Sequence, residues 1–124
     1  MRDFTSYIGI IGGGISGLTL GCSLRKNGIK SIIFEKEPSL HDEGAGISIS
    51  PNGLIALEYL GLKNELLNNS YKSPKAILKY NKTQLLEMDS PVYTMNRKNL
   101  INLLYERYTN LGGEILFNHK LKDI

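Results

Sequence analysis

Three consecutive glycines, Gly12-Gly13-Gly14, stand between a short apolar run and a helical pattern, and that placement constrains the fold more than any other feature of the chain. Tyr7-Ile8-Gly9-Ile10-Ile11 reads as a strand buried on both faces, as parallel strands are. Ile15 to Asn27 reads as a helix. Ile15, Leu18 and Leu24 recur near helical spacing, Gly17 and Gly21 give a flat stripe for close packing on the sheet, and Gly28 occupies the C′ position. Ser31-Ile32-Ile33-Phe34 is a second apolar run, closed by Glu35. A strand–helix–strand unit of about thirty residues is a βαβ crossover, which is almost always right-handed and sets its strands parallel.

Composition excludes several alternatives. The 124 residues amount to one ordinary domain, and glycine, at 13 residues, is in excess because of the stretch from Gly9 to Gly28. A net charge of +3 is too weak and diffuse to argue for nucleic acid. An apolar fraction of 41% with 22% charged residues excludes a disordered chain. A single cysteine, Cys22, excludes a disulfide framework and a cysteine-based zinc site. The apolar runs are too short to span a bilayer, and the expected location is cytoplasmic. Residues 63–124 carry 10 basic and 6 acidic side chains; the lysines at 72, 75, 79 and 82 read as a solvated face.

Beyond Glu35 the texture changes. Glu37 to Gly46 reads as a loop and Ile47-Ser48-Ile49 as a short strand. Ser50 at an N-cap and Pro51 at the first helical position start a helix that Gly61 stops, and 62–69 adds a further helical turn. Ala76–Tyr80 and Gln84–Met88 flank Asn81-Lys82-Thr83 as a hairpin. Asn96 is a candidate N-cap for a helix to Asn110, which Gly112-Gly113 terminates, and Glu114 to Asn118 reads as a last strand. The strands at 7–11, 31–35 and 114–118 are expected in that spatial order in one parallel sheet.

Gly12 to Gly17 satisfies G-x-G-x-x-G in its full context, and Glu35 lies 23 residues beyond Gly12, where a ribose-binding acid belongs. Gly12 permits the tight turn, Gly14 lets the backbone approach a pyrophosphate, and Gly17 allows close helix packing. The free N–H groups and positive dipole end of the helix attract the diphosphate. Glu35 can accept hydrogen bonds from ribose hydroxyls and would repel a 2′-phosphate, against NADP at this site. The same glycines could serve packing alone, but packing does not explain Glu35. NAD and FAD suit the fingerprint alike.

Three stretches in order carry a resemblance: Ile8 to Leu18 (including Ser16) running through Ile33-Phe34-Glu35-Lys36; Gly44-Ala45-Gly46-Ile47-Ser48-Ile49-Ser50-Pro51-Asn52-Gly53-Leu54 with Leu57 and Leu60-Gly61-Leu62; and Arg97 with Leu100 and Leu104. Together they resemble the FAD-dependent aromatic-ring monooxygenases of the para-hydroxybenzoate hydroxylase and salicylate hydroxylase kind. The resemblance covers essentially the whole chain. It implies an α/β, Rossmann-like βαβ fold with an incomplete parallel sheet. The implied core is 5–36 and 96–124, and 37–95 is an inserted segment whose hairpin, 76–88, belongs to a substrate-domain sheet.

By the same resemblance FAD is the cofactor, NADH or NADPH its transient electron donor, O2 a co-substrate, and the substrate a small aromatic or other electron-rich molecule. Gly12, Gly14, Ser16, Gly17, Glu35, Lys36, Ala45, Gly46 and Arg97 are the implied cofactor-binding residues. At the first helical position the Arg97 cation opposes the dipole by roughly 0.3–1 kcal/mol when exposed, and a bound anion would reverse that sign. Spacing alone favours an Arg97 that points into solvent; the resemblance gives it the FAD diphosphate region. The family is about three times longer than this chain and carries later motifs that are not in it. The expectation is therefore an N-terminal portion that is inactive alone, with an unpartnered apolar edge on the first strand. The alternatives are an NAD-dependent dehydrogenase, another flavoprotein reductase, or a non-catalytic nucleotide-binding remnant; the Gly44–Gly61 segment and Arg97 speak against the first two. No residue is assigned as catalytic. His41 and His119 read as surface residues, Asp42 and Glu43 as solvated loop acids, and Cys22 as a packing residue.

Overall fold

The structure, a computed structural model, describes residues 2–40 and 44–124. His41, Asp42 and Glu43 lie outside the described residues. The chain divides into two compact units, Met1–Gly44 with Lys98–Ile124, and Ala45–Arg97.

In the first unit, β1 (Ile8–Ile11), α1 (Ile15–Lys26) and β2 (Ser31–Phe34) form the expected crossover, and the last strand of the chain, β8 (Glu114–Leu116), joins the same sheet. The order is β1-β2-β8, all parallel, with Ile10 opposite Ile33 and Ile33 opposite Ile115. β2 is central and its Ser31, Ile32 and Ile33 are buried, as a strand covered on both sides should be. β1 departs from the expectation of burial on both faces: Ile8 and Ile11 are 45% and 56% exposed, and only Ile10 is buried. Among the described residues β1 pairs with β2 alone, so it is an edge strand. β8 is shorter than expected because Asn118 takes a left-handed conformation (φ 58°) and turns the chain back. The N–H of His119 then bonds the Glu35 carbonyl at 2.8 Å, and that of Asn118 bonds the Glu37 carbonyl at 3.1 Å.

The helix α1 ends as the sequence indicates, with Gly28 at φ 75° and its N–H on the Arg25 carbonyl. The long helix α4 (Arg97–Asn110) packs against α1 and β2 through Tyr108, which is fully buried and donates its hydroxyl to the Ser31 carbonyl at 3.0 Å. A Cβ on Gly21 would come within 2.8 Å of the Tyr108 ring. Gly21 therefore allows close approach of a helix rather than of the sheet. Leu18, Cys22, Ile101 and Leu104 complete this core.

In the second unit, β3 (Gly46–Ile49) leads into α2 (Pro51–Tyr59) and α3 (Lys63–Asn68). Ser50 holds the N-cap position of α2 but makes no bond to the helix backbone; its hydroxyl bonds the Asn52 side chain instead. Two strands that the sequence pattern did not mark, β4 (Tyr71–Ser73) and β7 (Val92–Asn96), complete an antiparallel sheet in the order β3-β7-β4. Asn96 is thus the last residue of β7. The hairpin, β5 (Ala76–Tyr80) with β6 (Thr83–Met88), is a two-stranded sheet. Tyr80 pairs with Thr83, so its loop is Asn81-Lys82 alone, with Asn81 at φ 52°. The four lysines at 72, 75, 79 and 82 are exposed, and Lys75 pairs with Glu87.

Candidate functional site

The glycine-rich turn lies at the carboxyl ends of β1 and β2, the end of a parallel sheet where ligands bind in this class of fold. Its glycines answer to different demands. Gly12, at φ 101°, adopts a conformation that disfavours a side chain, and its N–H continues the ladder to the Phe34 carbonyl at 2.9 Å. A Cβ on Gly17 would drive into the Gly12 carbonyl, so helix and turn touch backbone to backbone there. Gly14 has neither the positive φ of Gly12 nor the clash of Gly17, its φ being -80°. A Cβ on it would meet nothing within 4 Å, so its bareness serves no packing within the chain and leaves an open cradle.

Gly14 is also the N-cap of α1, which has no side-chain cap and no acidic residue in its first turn. A helix start leaves N–H groups without intrahelical acceptors and carries the positive dipole end, so an anion is the natural partner. Ser16 is exposed in that first turn.

Glu35 follows β2 and faces the turn. Its Oε2 accepts from the Gly13 N–H at 2.6 Å and its Oε1 from the Glu37 N–H at 3.0 Å. Partial burial pushes this carboxyl up. The hydrogen bonds from the Glu37, Gly13 and Lys36 backbones and the Lys36 charge outweigh that and hold it below the ordinary glutamate range. Lys36 is exposed and lies 3.7 Å from Glu37. A cavity of about 330 Å³ is lined by Ile11, Gly12, Phe34, Glu35, Lys36, His119, Lys120 and Leu121. A second, of about 480 Å³, adds Lys122 and Asp123 to the Ile11, Phe34 and His119 wall. The tail after β8 is a contributor that sequence reasoning missed, because the Asn118 turn that brings it there has no local signal.

Six of the expected site residues thus gather at one end of the parallel sheet: Gly12, Gly14, Ser16, Gly17, Glu35 and Lys36. The other three gather at one end of the antiparallel ladder of the second unit. Gly46 opens β3 opposite Asn96, Ala45 precedes it, Arg97 begins α4, and all three are exposed. Gly13 was not among the expected residues; it fills an unspecified position of the motif, and its contribution is a backbone N–H. Cys22 is buried against α4, its thiol 3.4 Å from the Leu104 carbonyl, and burial pushes it up to about 11, as suits a packing residue.

Residues 5–124 match the FAD binding domain family. The chain belongs to that family. It is 34% identical over 120 residues to the FAD-dependent monooxygenase pynG of Aspergillus niger, covering 86% of this chain and 28% of that protein. It is 44% identical over 66 residues to the 3-amino-4-hydroxybenzoate 2-monooxygenase of Streptomyces cremeus, covering 53% of this chain and 17% of that one. Among solved structures, 2-methyl-3-hydroxypyridine-5-carboxylic acid oxygenase superposes with a TM-score of 0.82 at 32% identity, over 92% of this chain and 32% of that one. The p-nitrophenol 4-monooxygenase of Pseudomonas putida shares the fold, with a TM-score of 0.88 at 21% identity, over 100% of this chain and 34% of that one. The chain therefore spans about a third or less of these relatives.

Proposed function

We propose that the chain forms the dinucleotide-binding part of an FAD-dependent monooxygenase acting on a small aromatic or electron-rich molecule. The observation that carries the reading is the Gly14 cradle at the uncapped start of α1, beside the Glu35 carboxylate. The FAD diphosphate fits a helix start rich in unpaired N–H groups, and its ribose hydroxyls fit a carboxylate with acceptor positions to spare. The relatives named as a monooxygenase of an amino-hydroxybenzoate and an oxygenase of a hydroxypyridine carboxylic acid support an aromatic substrate.

In this reading Gly12, Gly14, Ser16 and Gly17 cradle the diphosphate, and Glu35 accepts from the ribose while Lys36 offsets the local negative charge. Ala45, Gly46 and Arg97 are assigned to the cofactor by resemblance, Arg97 to the diphosphate region. The division is a core of 5–36 and 96–124 around an inserted 37–95; the two compact units support an interrupted core but change over at Gly44/Ala45 and Arg97/Lys98. FAD held there would supply the redox and oxygen chemistry, with NADH or NADPH as the electron donor. The residues of this chain bind and orient it. A cytoplasmic location fits the absence, among the described residues, of any helix long and apolar enough to cross a membrane. An FAD titration of the chain, followed by flavin fluorescence, tests the reading: saturable one-to-one binding supports it, and no binding at high micromolar FAD opposes it.

A further inference from the structure

Both oxygens of the Glu35 carboxylate are engaged by the chain's own backbone. Oε2 holds the Gly13 N–H at 2.6 Å and Oε1 the Glu37 N–H at 3.0 Å, so one side chain bridges the turn after β1 and the segment after β2. Gly13 is buried, and a Cβ on it would stand 3.2 Å from Oε2 and 3.5 Å from the Glu35 Cβ. The turn is anchored on either side of that point: Gly12 N–H bonds the Phe34 carbonyl, and the Gly14 carbonyl accepts from Leu18 N–H. Glu35 thus grips the turn between its last ladder bond and the first bond of α1, directly before the bare Gly14.

We infer that Glu35 is a positioning residue for the glycine-rich turn, holding Gly13, and with it the Gly14 cradle, in shape in the cofactor-free protein. This rests on the dinucleotide reading of the turn and adds a second role to the carboxylate. A carboxylate offers about four acceptor positions. The Gly13 and Glu37 N–H groups take two and the Lys36 backbone contributes a third, which leaves a position available to ribose, so the grip need not be released when a nucleotide binds. The charged groups around it are Lys36 and Glu37 on its own segment, and His119 and Lys120 from the tail after β8. The turn and the first turn of α1 bring no titratable side chain.

The test uses the chain labelled with 15N-glycine, with no FAD present, and Gly21 in the middle of α1 as the reference amide. The Gly13 amide proton should shift on acid titration with a midpoint below the ordinary glutamate range. In Glu35→Ala its hydrogen exchange should quicken about tenfold or more while Gly21 is unchanged. Glu35→Gln should abolish the titration and keep part of the protection, because its amide oxygen can still accept one of the two bonds. A wild-type Gly13 amide that does not titrate, or unchanged Gly13 exchange in Glu35→Ala, overturns the inference. If Glu35→Ala also frees Gly21, the wild-type titration and the Gln variant decide. A separate FAD titration keeps the two readings apart. A titrating Gly13 in a chain that does not bind FAD overturns the proposed function alone. FAD binding with a silent Gly13 overturns the positioning role alone.

Discussion

Gly14 and Gly17 sit three residues apart in one motif, and substitutions at the two should fail in opposite ways. A side chain on Gly14 projects into open space, so Gly14→Val should melt near the wild-type temperature and lose FAD binding. A side chain on Gly17 strikes the Gly12 carbonyl, so even Gly17→Ala should destabilise the chain, by about 1–3 kcal/mol in denaturant unfolding, as overpacking does. Glu35 gives a pH prediction with a definite sign. Its carboxyl lies lower in the folded chain than in the unfolded one. Its stabilisation is therefore present above the ordinary glutamate range and lost as pH falls through the folded value. Acid unfolding of Glu35→Gln should be shallower than wild type over that window. The exposed Glu114, lowered by its hydrogen bonds from Arg2, supplies a second acid-sensitive contact that the variant leaves intact. The tight turn at Gly12 and the close packing at Gly17 are legible from spacing. The grip on Gly13 is not, because it uses a backbone N–H at a position the motif leaves free.

At the scale of elements, the parallel strands and both long helices could be read from local pattern, since each is a continuous apolar run or a helical repeat closed by glycine. β4 and β7 could not, because three to five residues gain meaning only from pairing across the chain; Tyr71 meets Thr94 in that ladder. The edge position expected of β1 is what the sheet order shows, whereas its apolar composition, which suggests burial on both faces, does not reveal that Ile8 and Ile11 are half exposed. Tyr108 joins α4 to β2 through its hydroxyl. The Ser31 carbonyl it bonds also accepts from Arg25 at 2.7 Å, so Tyr108→Phe should cost only about 1 kcal/mol, measured by thermal unfolding. Arg97 is the first residue of α4, where a cation opposes the dipole. Arg97→Ala should leave the cofactor-free melt unchanged or slightly raised and weaken FAD binding about tenfold, as loss of a charge-assisted bond does. A wild-type-sized rise in melting temperature with FAD would remove Arg97 from the site.

At the scale of the molecule, the first unit carries the glycine-rich turn and Glu35 at one end of its parallel sheet, and the second carries exposed apolar surface on its hairpin, including Ile77, Leu78, Leu85 and Leu86. The chain belongs to the FAD binding domain family and spans 28% of a relative named as a monooxygenase. Binding is therefore the activity to ask of it first. The most direct measurement is a calorimetric FAD titration of the wild type beside Gly14→Val, each checked for fold by its melting curve. The account predicts saturable one-to-one binding by the wild type and none by a folded Gly14→Val. Equal binding by the two proteins, or no binding by a folded wild type, would contradict it.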